Sequence, residues 1–268
     1  MQYEDFKRKP LNWGLLENEI WRRYQLFMEQ EMFKQLHLNF QAAGGGVTSG
    51  GLVLSLDAAN TVSYPGSGTA WYDLSTYQNN AQLVNGPTSS GTGDQRILVF
   101  DATDDYYEVA PNPSLDCVKG VSAFALCKIQ TVGIKQVIMK NDDIIDTNMS
   151  YGFQFWEDGY AYFNLRTANG WREFGDSTPY TADTWYYYGM TYDGKTLRGY
   201  RNGAQIGSVS WSGDIRLNPN GVRSSTASAV GGAGATQLSL STVQVYDRAL
   251  TDYEVNQNFV AIKNRFGL

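Results

Sequence analysis

The sequence predicts an all-β protein in which two antiparallel sheets stack as a sandwich, preceded by an α-helical N-terminal segment. From Leu52 onward, apolar and polar residues alternate over many short runs, as they do in strands that bury one face. The 268 residues include 28 glycines and 14% aromatic residues, a composition that favours short strands joined by tight turns. Strands without intervening helices form antiparallel sheets, and a set this large must stack in two layers.

Residues 11–41 have a helical composition, rich in Leu, Glu, Gln and Met and with a single glycine. Asn12 is placed to cap the start of this helix, and Ala42–Gly46 supplies its end and a flexible joint. Two apolar stripes recur at helical spacing and are predicted to dock on a partner: Trp13, Leu16, Ile20, Tyr24 and Phe27 in one, Trp21, Met28, Met32, Leu36 and Phe40 in the other.

A helix with this much apolar surface needs a partner that buries it. The partner is either the sandwich of the same chain, another protein subunit, or further copies of the helix. The glycine-rich linker favours the last two, because a helix that packs on its own domain does not need a flexible connection to it. We therefore divide the chain into a helical anchor or oligomerisation segment (1–43), a glycine-rich linker (44–51) and a sandwich (52–268).

The strands are predicted from runs of period two. They are Leu52–Leu56, Ile97–Phe100, Val121–Ile129, Lys135–Met139, Tyr151–Phe155, Tyr160–Leu165, Trp185–Tyr192, Thr196–Arg201 and Leu238–Tyr246. The turns between strands carry Asx-Gly pairs, namely Asn85-Gly86, Asp158-Gly159, Asn169-Gly170, Asp193-Gly194 and Asn202-Gly203. A last helix is predicted over Asp252–Asn264, with Val255, Phe259 and Ile262 on one face, and is expected to close an edge or end of the sandwich.

The composition excludes several classes of partner. A formal net charge of −6 argues against binding nucleic acid or an anionic membrane by charge. No run approaches the roughly 18 apolar residues of a membrane span, and the polar opening Met1–Pro10 does not resemble a signal peptide. Cys117 and Cys127 are too few for a disulfide framework, so both are expected to be free thiols.

Six segments in a fixed order carry a resemblance to a known family. They are Leu54–Asn60, Trp71–Ser75, Val99–Tyr106, Trp185–Gly194, Gly199–Gly203 and Val245–Glu254. Together, over residues 52–268, they resemble the laminin G-like members of the concanavalin-type lectin and glucanase superfamily, which implies a jelly-roll sandwich. Ala102 stands where family members usually carry glycine, and the helical first forty residues lie outside the family's domain.

The sequences of Tyr64–Thr69 and Asn264–Leu268 resemble those in the version of this domain that is found in virion proteins of tailed phages. That resemblance implies a protein assembled in the host cytoplasm and displayed on the virion surface. Its partners would be capsid, neck or tail proteins, reached through the N-terminal helix, and the protein could also form homo-oligomers.

The superfamily includes glycoside hydrolases, but the sequence argues against an enzyme. A retaining glucanase of this fold needs carboxylates on alternate residues of one strand, and no such sequence motif occurs in this chain. Glu157-Asp158 lies at a turn, and Glu173–Asp176 lacks a second glutamate. His37, the single histidine, lies in the helical segment, so a histidine-based catalytic or metal site is not expected either.

Two candidate binding sites remain. The protein is expected to require no cofactor, although one of the two sites is a candidate for calcium. Trp156, Tyr160, Tyr162 and Trp171 surround two turns and are predicted to bind carbohydrate, although alternate residues of such strands also fill cores. Asp101, Asp104 and Asp105 form the best candidate calcium cluster and Asn141–Asp143 the next, although Asx residues at turns commonly cap their own backbone. Trp71 and Trp185 are assigned to the core.

The sequence thus favours a non-catalytic, lectin-like head that attaches a virion to host-surface glycans. The first alternative is a decoration or cement protein without a glycan ligand. The second is a glycoside hydrolase or its carbohydrate-binding module.

Overall fold

The computed structural model describes residues 46–140, 149–224 and 236–268, and these residues form two antiparallel sheets packed face to face. The predicted two-layer sandwich is therefore confirmed. Sheet I contains the strands β1 (Leu52–Asp57), β4 (Thr88–Ser90), β5 (Ile97–Phe100), β7 (Val121–Ile129), β12 (Thr184–Tyr192), β13 (Thr196–Arg201), β14 (Ala204–Ser210) and β16 (Leu238–Tyr246). Sheet II contains β2 (Ala70–Trp71), β3 (Ala81–Val84), β6 (Tyr106–Val109), β8 (Lys135–Lys140), β9 (Tyr151–Phe155), β10 (Ala161–Thr167), β11 (Gly170–Gly175) and β15 (Val222–Arg223).

The two sheets differ in how their strands follow one another. Sheet I has the order β14-β13-β12-β7-β16-β5-β4, and β1 also pairs with β16. The strand β16 pairs with β7 along one side, while its other side is shared by β5 at Leu238–Leu240 and β1 at Thr242–Tyr246. Sheet II has the order β11-β10-β9-β8-β15-β6-β3-β2, so three consecutive strands, β9 to β11, form one of its edges.

The main core lies between the two sheets. Trp71 is fully buried there and meets Tyr107 edge to face, with 5.9 Å between ring centroids. At the β11 edge the sheets approach closely because glycines face aromatic rings. A Cβ added to Gly199 would lie 2.5 Å from the Phe163 ring, and one added to Gly207 would lie 3.0 Å from the Phe174 ring. The rings therefore occupy the space that side chains would take, which fixes β10 and β11 against sheet I.

A second apolar cluster covers the outer face of sheet I. Phe124 and Leu126 point away from the main core, because they alternate along β7 with Ala123, Ala125 and Cys127, which point into it. The C-terminal helix α1 (Asp252–Ile262) packs on this outer face through Val255, Ile262 and the half-buried Phe259. The expectation that this helix closes an edge or end of the sandwich is only partly right, because α1 contacts the edge strand β14 but also covers the outer face of the strands next to it. The strand β7 is apolar on both faces, so each face needs a cover.

Trp185 belongs to this outer cluster, so its assignment to the core is only partly right. The residue is half-buried, and its ring stacks on Phe266 with 3.9 Å between centroids. A 3-10 turn over Lys263–Arg265 follows α1 and brings Phe266 into place.

The start of α1 is held by a capping box. The Thr251 hydroxyl accepts the N–H of Glu254, and the Glu254 carboxylate accepts the N–H of Thr251. Arg248 donates to both carboxylate oxygens of Glu254, at 3.0 and 2.6 Å. This contact lowers the pKa of Glu254 from its ordinary value of 4.5 to about 2, against the opposing effect of burial.

Several details of the strand prediction need correction. Seven strands were not predicted, of which β2, β4 and β15 have only two or three residues. Tyr160 precedes β10 instead of starting it. The turn Asn85-Gly86 has positive φ at both residues, as its sequence predicts, but it joins β3 of sheet II to β4 of sheet I and so is not a hairpin.

Some sequence predictions lie outside the described residues: the helix of 11–41 with its two apolar stripes, His37, and the Asn141–Asp143 cluster. Cys117 and Cys127 are both buried and free, as expected. Across the described ranges, no helix has the combination of length and apolarity that a membrane crossing needs.

The Glu254 contacts predict pH-dependent stability. Because the pKa is lowered in the folded chain, the carboxylate stabilises the fold above pH 4.5, and this contribution is lost as the pH falls toward 2. Glu254→Gln should therefore lower the free energy of unfolding by about 1–2 kcal/mol at pH 7 and by almost nothing near pH 2. Urea unfolding at both pH values measures this, with the exposed Glu157→Gln as control. An equal loss at both pH values would contradict the assignment.

Candidate functional site

A shallow cavity of about 270 Å³ opens on the outer face of sheet II, at the edge made by β9, β10 and β11. We call it the tryptophan groove. The described residues that line it are Gln154, Trp156, Asp158, Tyr162, Trp171 and Glu173. Among them are three aromatic side chains, two carboxylates and one amide, and none is cationic.

Strand alternation places these side chains in the groove. Phe153 and Phe155 of β9 and Phe163 of β10 point into the main core, so their neighbours Gln154 and Tyr162 point outward. On β11, Phe174 packs against the core, which leaves Trp171 and Glu173 on the outer face. Pairing then aligns the outward residues, because Tyr162 lies opposite Gln154 in β9 and Glu173 lies opposite Asn164 in β10.

Tyr162 forms a fixed floor in the groove. Its ring lies over Gly175, its partner across the strand pair, where an added Cβ would be 3.0 Å from the ring. Its hydroxyl donates to Asp158 Oδ2 at 2.5 Å. This hydrogen bond, aided by burial and the charges of Asp158 and Glu173, raises the pKa of Tyr162 to about 12. The hydroxyl therefore stays protonated at neutral pH and holds the carboxylate in place.

Asp158 is oriented from both sides. The N–H of Tyr160 donates to Oδ1 at 3.0 Å, while the Tyr162 hydroxyl donates to Oδ2. The turn that carries Asp158 closes with a hydrogen bond from the Gly159 N–H to the Trp156 carbonyl, and Gly159 has a φ of +86°. The carboxylate is thus held at the rim of the groove with little freedom to turn away.

The structure brings together three of the four residues predicted for carbohydrate binding. Trp156, Tyr162 and Trp171 line the groove, and Trp171 is 42% exposed. Tyr160 is half-buried and is not among the lining residues; its backbone N–H serves to orient Asp158. The prediction missed Gln154, Asp158 and Glu173 as groove residues. Spacing of two residues from Trp156 and Trp171 was the available signal, since it places Gln154 and Glu173 on the same faces as the tryptophans.

Aromatic faces beside carboxylate and amide groups suit a polyhydroxylated ring. The apolar C–H face of a sugar packs on an indole, and its hydroxyls donate to carboxylates or exchange hydrogen bonds with an amide. The groove is already shaped by its backbone contacts, so a ligand would meet a largely preformed surface.

A larger cavity of about 370 Å³ lies elsewhere on sheet II. Its described lining includes Gln82, Glu108 and Arg223, which lie opposite one another on the neighbouring strands β3, β6 and β15. Close contact of Gly221 with the Val109 carbonyl shapes its wall. None of its described lining residues is aromatic, so it lacks the stacking surface that the tryptophan groove offers.

The predicted calcium cluster is brought together, but its carboxylates also serve the backbone. Ligand oxygens of Asp101, Asp104 and Asp105 lie within 4.8 Å of one another. Asp101 Oδ1 accepts the N–H groups of Thr103, Asp104 and Asp105, and Asp105 Oδ2 accepts the N–H of Asp101. Ala102 needs no left-handed conformation, so its departure from the family's glycine is tolerated.

A buried lysine stands beside the same cluster. The Lys135 ammonium lies 3.4 Å from the Asp101 carbonyl oxygen. Burial lowers the pKa of Lys135 to about 8, although the charges of Asp101 and Asp105 oppose this shift. Carboxylate oxygens of the cluster that accept no backbone hydrogen bond could hold a hard cation. The Lys135 ammonium beside the cluster already supplies positive charge, however, and would oppose a divalent ion.

Comparisons with known proteins agree with this architecture. A family model described as the concanavalin A-like lectin/glucanases superfamily matches residues 100–256. No curated protein matches the sequence. Among solved structures, the binding domain of Paraclostridial mosquitocidal protein 1 is similar, with a TM-score of 0.62 at 16% identity over 78% of this chain and 52% of that one.

Two botulinum neurotoxin structures are similar as well. The receptor binding domain of the C/D mosaic serotype has a TM-score of 0.59 at 14% identity, over 78% of this chain and 51% of that one. The serotype D ligand binding domain, solved in complex with N-acetylneuraminic acid, has a TM-score of 0.60 at 13% identity, over 78% and 50%. The chain spans about half the length of these structures, and at such identity the likeness concerns the fold alone.

The hydrogen bond at the floor of the groove can be tested by titration. Asp158→Asn removes the anionic acceptor, so the pKa of Tyr162 should fall from about 12 toward its ordinary value of 10. At pH 11, NMR of tyrosine labelled with carbon-13 at Cζ should show Tyr162 mostly protonated in the native chain and mostly ionised in the variant. Tyr162→Phe assigns the resonance. Glu157→Gln removes a charge from the same turn without the hydrogen bond and should change little; an equal effect of both variants would contradict the contact.

Proposed function

The chain belongs to the concanavalin A-like lectin/glucanase superfamily, and from that premise we propose that its sandwich is a non-catalytic head that binds glycans in the tryptophan groove. The observation that carries this proposal is the convergence of Trp156, Tyr162 and Trp171 with two carboxylates in one preformed cavity. A lectin-like fold alone would not support it, because one fold hosts many functions.

The groove suits weak, repeated contacts with sugars. It is small and open, so a single head would hold one or two sugar rings. Stacking on an exposed indole supplies the apolar part of the binding, and Gln154, Asp158 and Glu173 offer hydrogen bonds at the rim. Several heads on one particle would add such contacts into a useful avidity.

The similar solved structures support a binding role in a limited way. Their names describe binding domains, one of them in complex with a sugar acid. Since the chain spans only about half of each, what those proteins bind does not transfer to this chain. The complex with N-acetylneuraminic acid makes recognition of a cell-surface glycan a first hypothesis to test.

A glycoside hydrolase is the less favoured alternative. The groove contains two carboxylates, Asp158 and Glu173, but Asp158 receives hydrogen bonds from Tyr162 and Tyr160 on both oxygens. Both oxygens of Asp158 are thus engaged within its own turn and strand, whereas glycoside hydrolysis needs two carboxyl groups placed on either side of the scissile bond. We therefore propose a binding role without catalysis.

We further propose that the protein is displayed on a virion, with residues 11–41, which the sequence predicts to be helical, docked on a capsid, neck or tail protein. The two apolar stripes of that segment and the glycine-rich linker after it support this proposal. A head without glycan ligand would instead be a decoration or cement protein, which is the first alternative. No cofactor is required in either case, and calcium at Asp101, Asp104 and Asp105 remains optional.

Trp171→Ala tests the glycan-binding proposal. Loss of the exposed ring should weaken binding on a glycan array by roughly tenfold, because the stacking surface is removed. The melting temperature should stay nearly unchanged, since the side chain is 42% exposed. Tyr77→Ala is the matched control: Tyr77 is 48% exposed and lies between β2 and β3, at the opposite edge of sheet II. Equal binding by both variants would contradict binding in the tryptophan groove, and no bound glycan at all would leave only the structural role.

Deletion of residues 1–46 tests the display proposal. Full-length chain should be found by mass spectrometry in purified virions, whereas the truncated chain should be lost from them and should keep its glycan binding. Absence of the full-length chain from virions would contradict virion display. Equal incorporation of the truncated chain would contradict the anchoring role of residues 11–41.

A further inference from the structure

The larger cavity of sheet II, of about 370 Å³, contains an arginine whose donors are not used within the described part of the chain. We call this cavity the arginine cleft. Its polar lining consists of Asn80, Gln82, Glu108, Asn220 and Arg223. We propose that the arginine cleft binds the carboxylate of an acidic sugar, with Arg223 as the anchor. This second binding site does not rest on ligand binding in the tryptophan groove.

The Arg223 guanidinium has donors to offer. The residue is half-buried, and its Nε atom is buried without a hydrogen-bond partner among the described residues. By contrast, Arg198, Arg201, Arg248 and Arg265 each form an ion pair with a carboxylate, whereas Arg223 forms none with the residues that the structure describes. A buried donor without an acceptor is costly, so an anionic acceptor at this guanidinium would be favourable.

Strand alternation turns Arg223 toward the cleft. Val109 and Val222 belong to the main core, so their neighbours Glu108 and Arg223 point to the outer face of sheet II. Glu108 lies opposite Arg223 on one side and opposite Gln82 on the other. The three polar side chains therefore form a row across β15, β6 and β3.

The wall of the cleft is held in place by a buried lysine. The Lys140 ammonium donates to the carbonyls of Asn218 and Asn220, at 3.0 and 2.6 Å, and the Asn220 N–H donates to Asn218 Oδ1 at 2.8 Å. Gly221 then passes so close to β6 that an added Cβ would lie 1.6 Å from the Val109 carbonyl oxygen. The backbone before Arg223 is thus fixed, and a ligand would meet a preformed cleft.

The lining favours an acidic sugar over other carboxylates. A guanidinium matches a carboxylate with two parallel hydrogen bonds. The amides of Asn80, Gln82 and Asn220 can exchange hydrogen bonds with ring hydroxyls. Val109 and Val222 direct their side chains into the main core, so they offer no apolar pocket for the side chain of a peptide. A hydroxylated ring uses this lining more fully than a peptide carboxylate does.

Glu108 sharpens the selection. It is the acidic member of the described lining, and its charge would repel a carboxylate bound at Arg223. A bare anion such as acetate meets this repulsion without compensation. A sugar acid can offset it, because its hydroxyls donate hydrogen bonds to the Glu108 carboxylate. The pair of opposite charges therefore favours a ligand that carries both an acid and hydroxyl groups.

A matched pair of sugars tests the inference with the full-length chain. Methyl β-glucuronide and methyl β-glucoside differ only in a carboxylate that replaces a hydroxymethyl group. Ligand-observed NMR titration at about 0.02 M salt should show that the glucuronide binds at least roughly tenfold more tightly than the glucoside and more tightly than acetate. In chain labelled with nitrogen-15 at arginine, the glucuronide should shift the Arg223 Nε–H resonance, which Arg223→Lys assigns.

Two substitutions in the cleft should act in opposite directions. Arg223→Gln should weaken glucuronide binding by roughly tenfold or more, because it removes the charged fork. Glu108→Gln should strengthen it by about threefold, because it removes repulsion and keeps an acceptor. Arg216→Gln is the matched control: it removes the same charge from an exposed arginine outside the described lining of the cleft and should change little.

The other outcomes contradict the inference. If the glucuronide does not bind, or if Arg223→Gln and Arg216→Gln weaken it equally, the cleft is not its site. Equal binding of acetate, or tighter binding of the dipeptide Gly-Gly through its free carboxylate, would contradict the acidic-sugar class. Loss of glucuronide binding in Trp171→Ala would assign it to the tryptophan groove instead. Should Arg223→Gln melt at a lower temperature, the exposed Glu108→Gln still tests the cleft, because unchanged affinity would contradict it.

Discussion

The two-residue alternation of β9, β10 and β11 is the constraint on which the candidate site depends. Phe153, Phe163 and Phe174 must point inward, because they fill the space between the sheets, two of them directly over Gly199 and Gly207. A slip by one residue would expose these rings and bury the polar residues between them. Burial of the inner rings therefore sets the register, and the register assembles the groove on the other face.

The two outer faces of the sandwich have different roles. On sheet I, apolar side chains such as Phe124 and Tyr187 also lie on the outer face. They are covered there by α1 and the residues that follow it. On sheet II, the edge formed by β9 to β11 leaves Trp171 exposed. Since the helix covers the outer face of sheet I, the exposed aromatic surface lies on sheet II. The capping box and the Arg248–Glu254 ion pair thus act at a distance from the groove, by keeping the opposite face closed.

How far the sequence predicts the structure depends on the length of each element. Strands with a sustained pattern, such as Val121–Ile129, Thr196–Arg201 and Leu238–Tyr246, occur at the predicted positions. Short strands such as Val222–Arg223 were missed because two residues carry no period and are defined by the neighbours that pair with them. The placement of α1 was only partly right, because its apolar face identifies a helix but not the full surface that receives it.

The sequence by itself determined the fold class, the turn positions and three aromatic members of the groove, because period two and Asx-Gly turns are local properties of the chain. Only the tertiary structure decided that Asp158 and Glu173 share a cavity, that Tyr160 stays out of it, and that Lys135 stands beside the Asp101 cluster. These relations join residues of different strands or loops. They arise from strand pairing and from packing between sheets, which bring together side chains that no spacing along the chain relates.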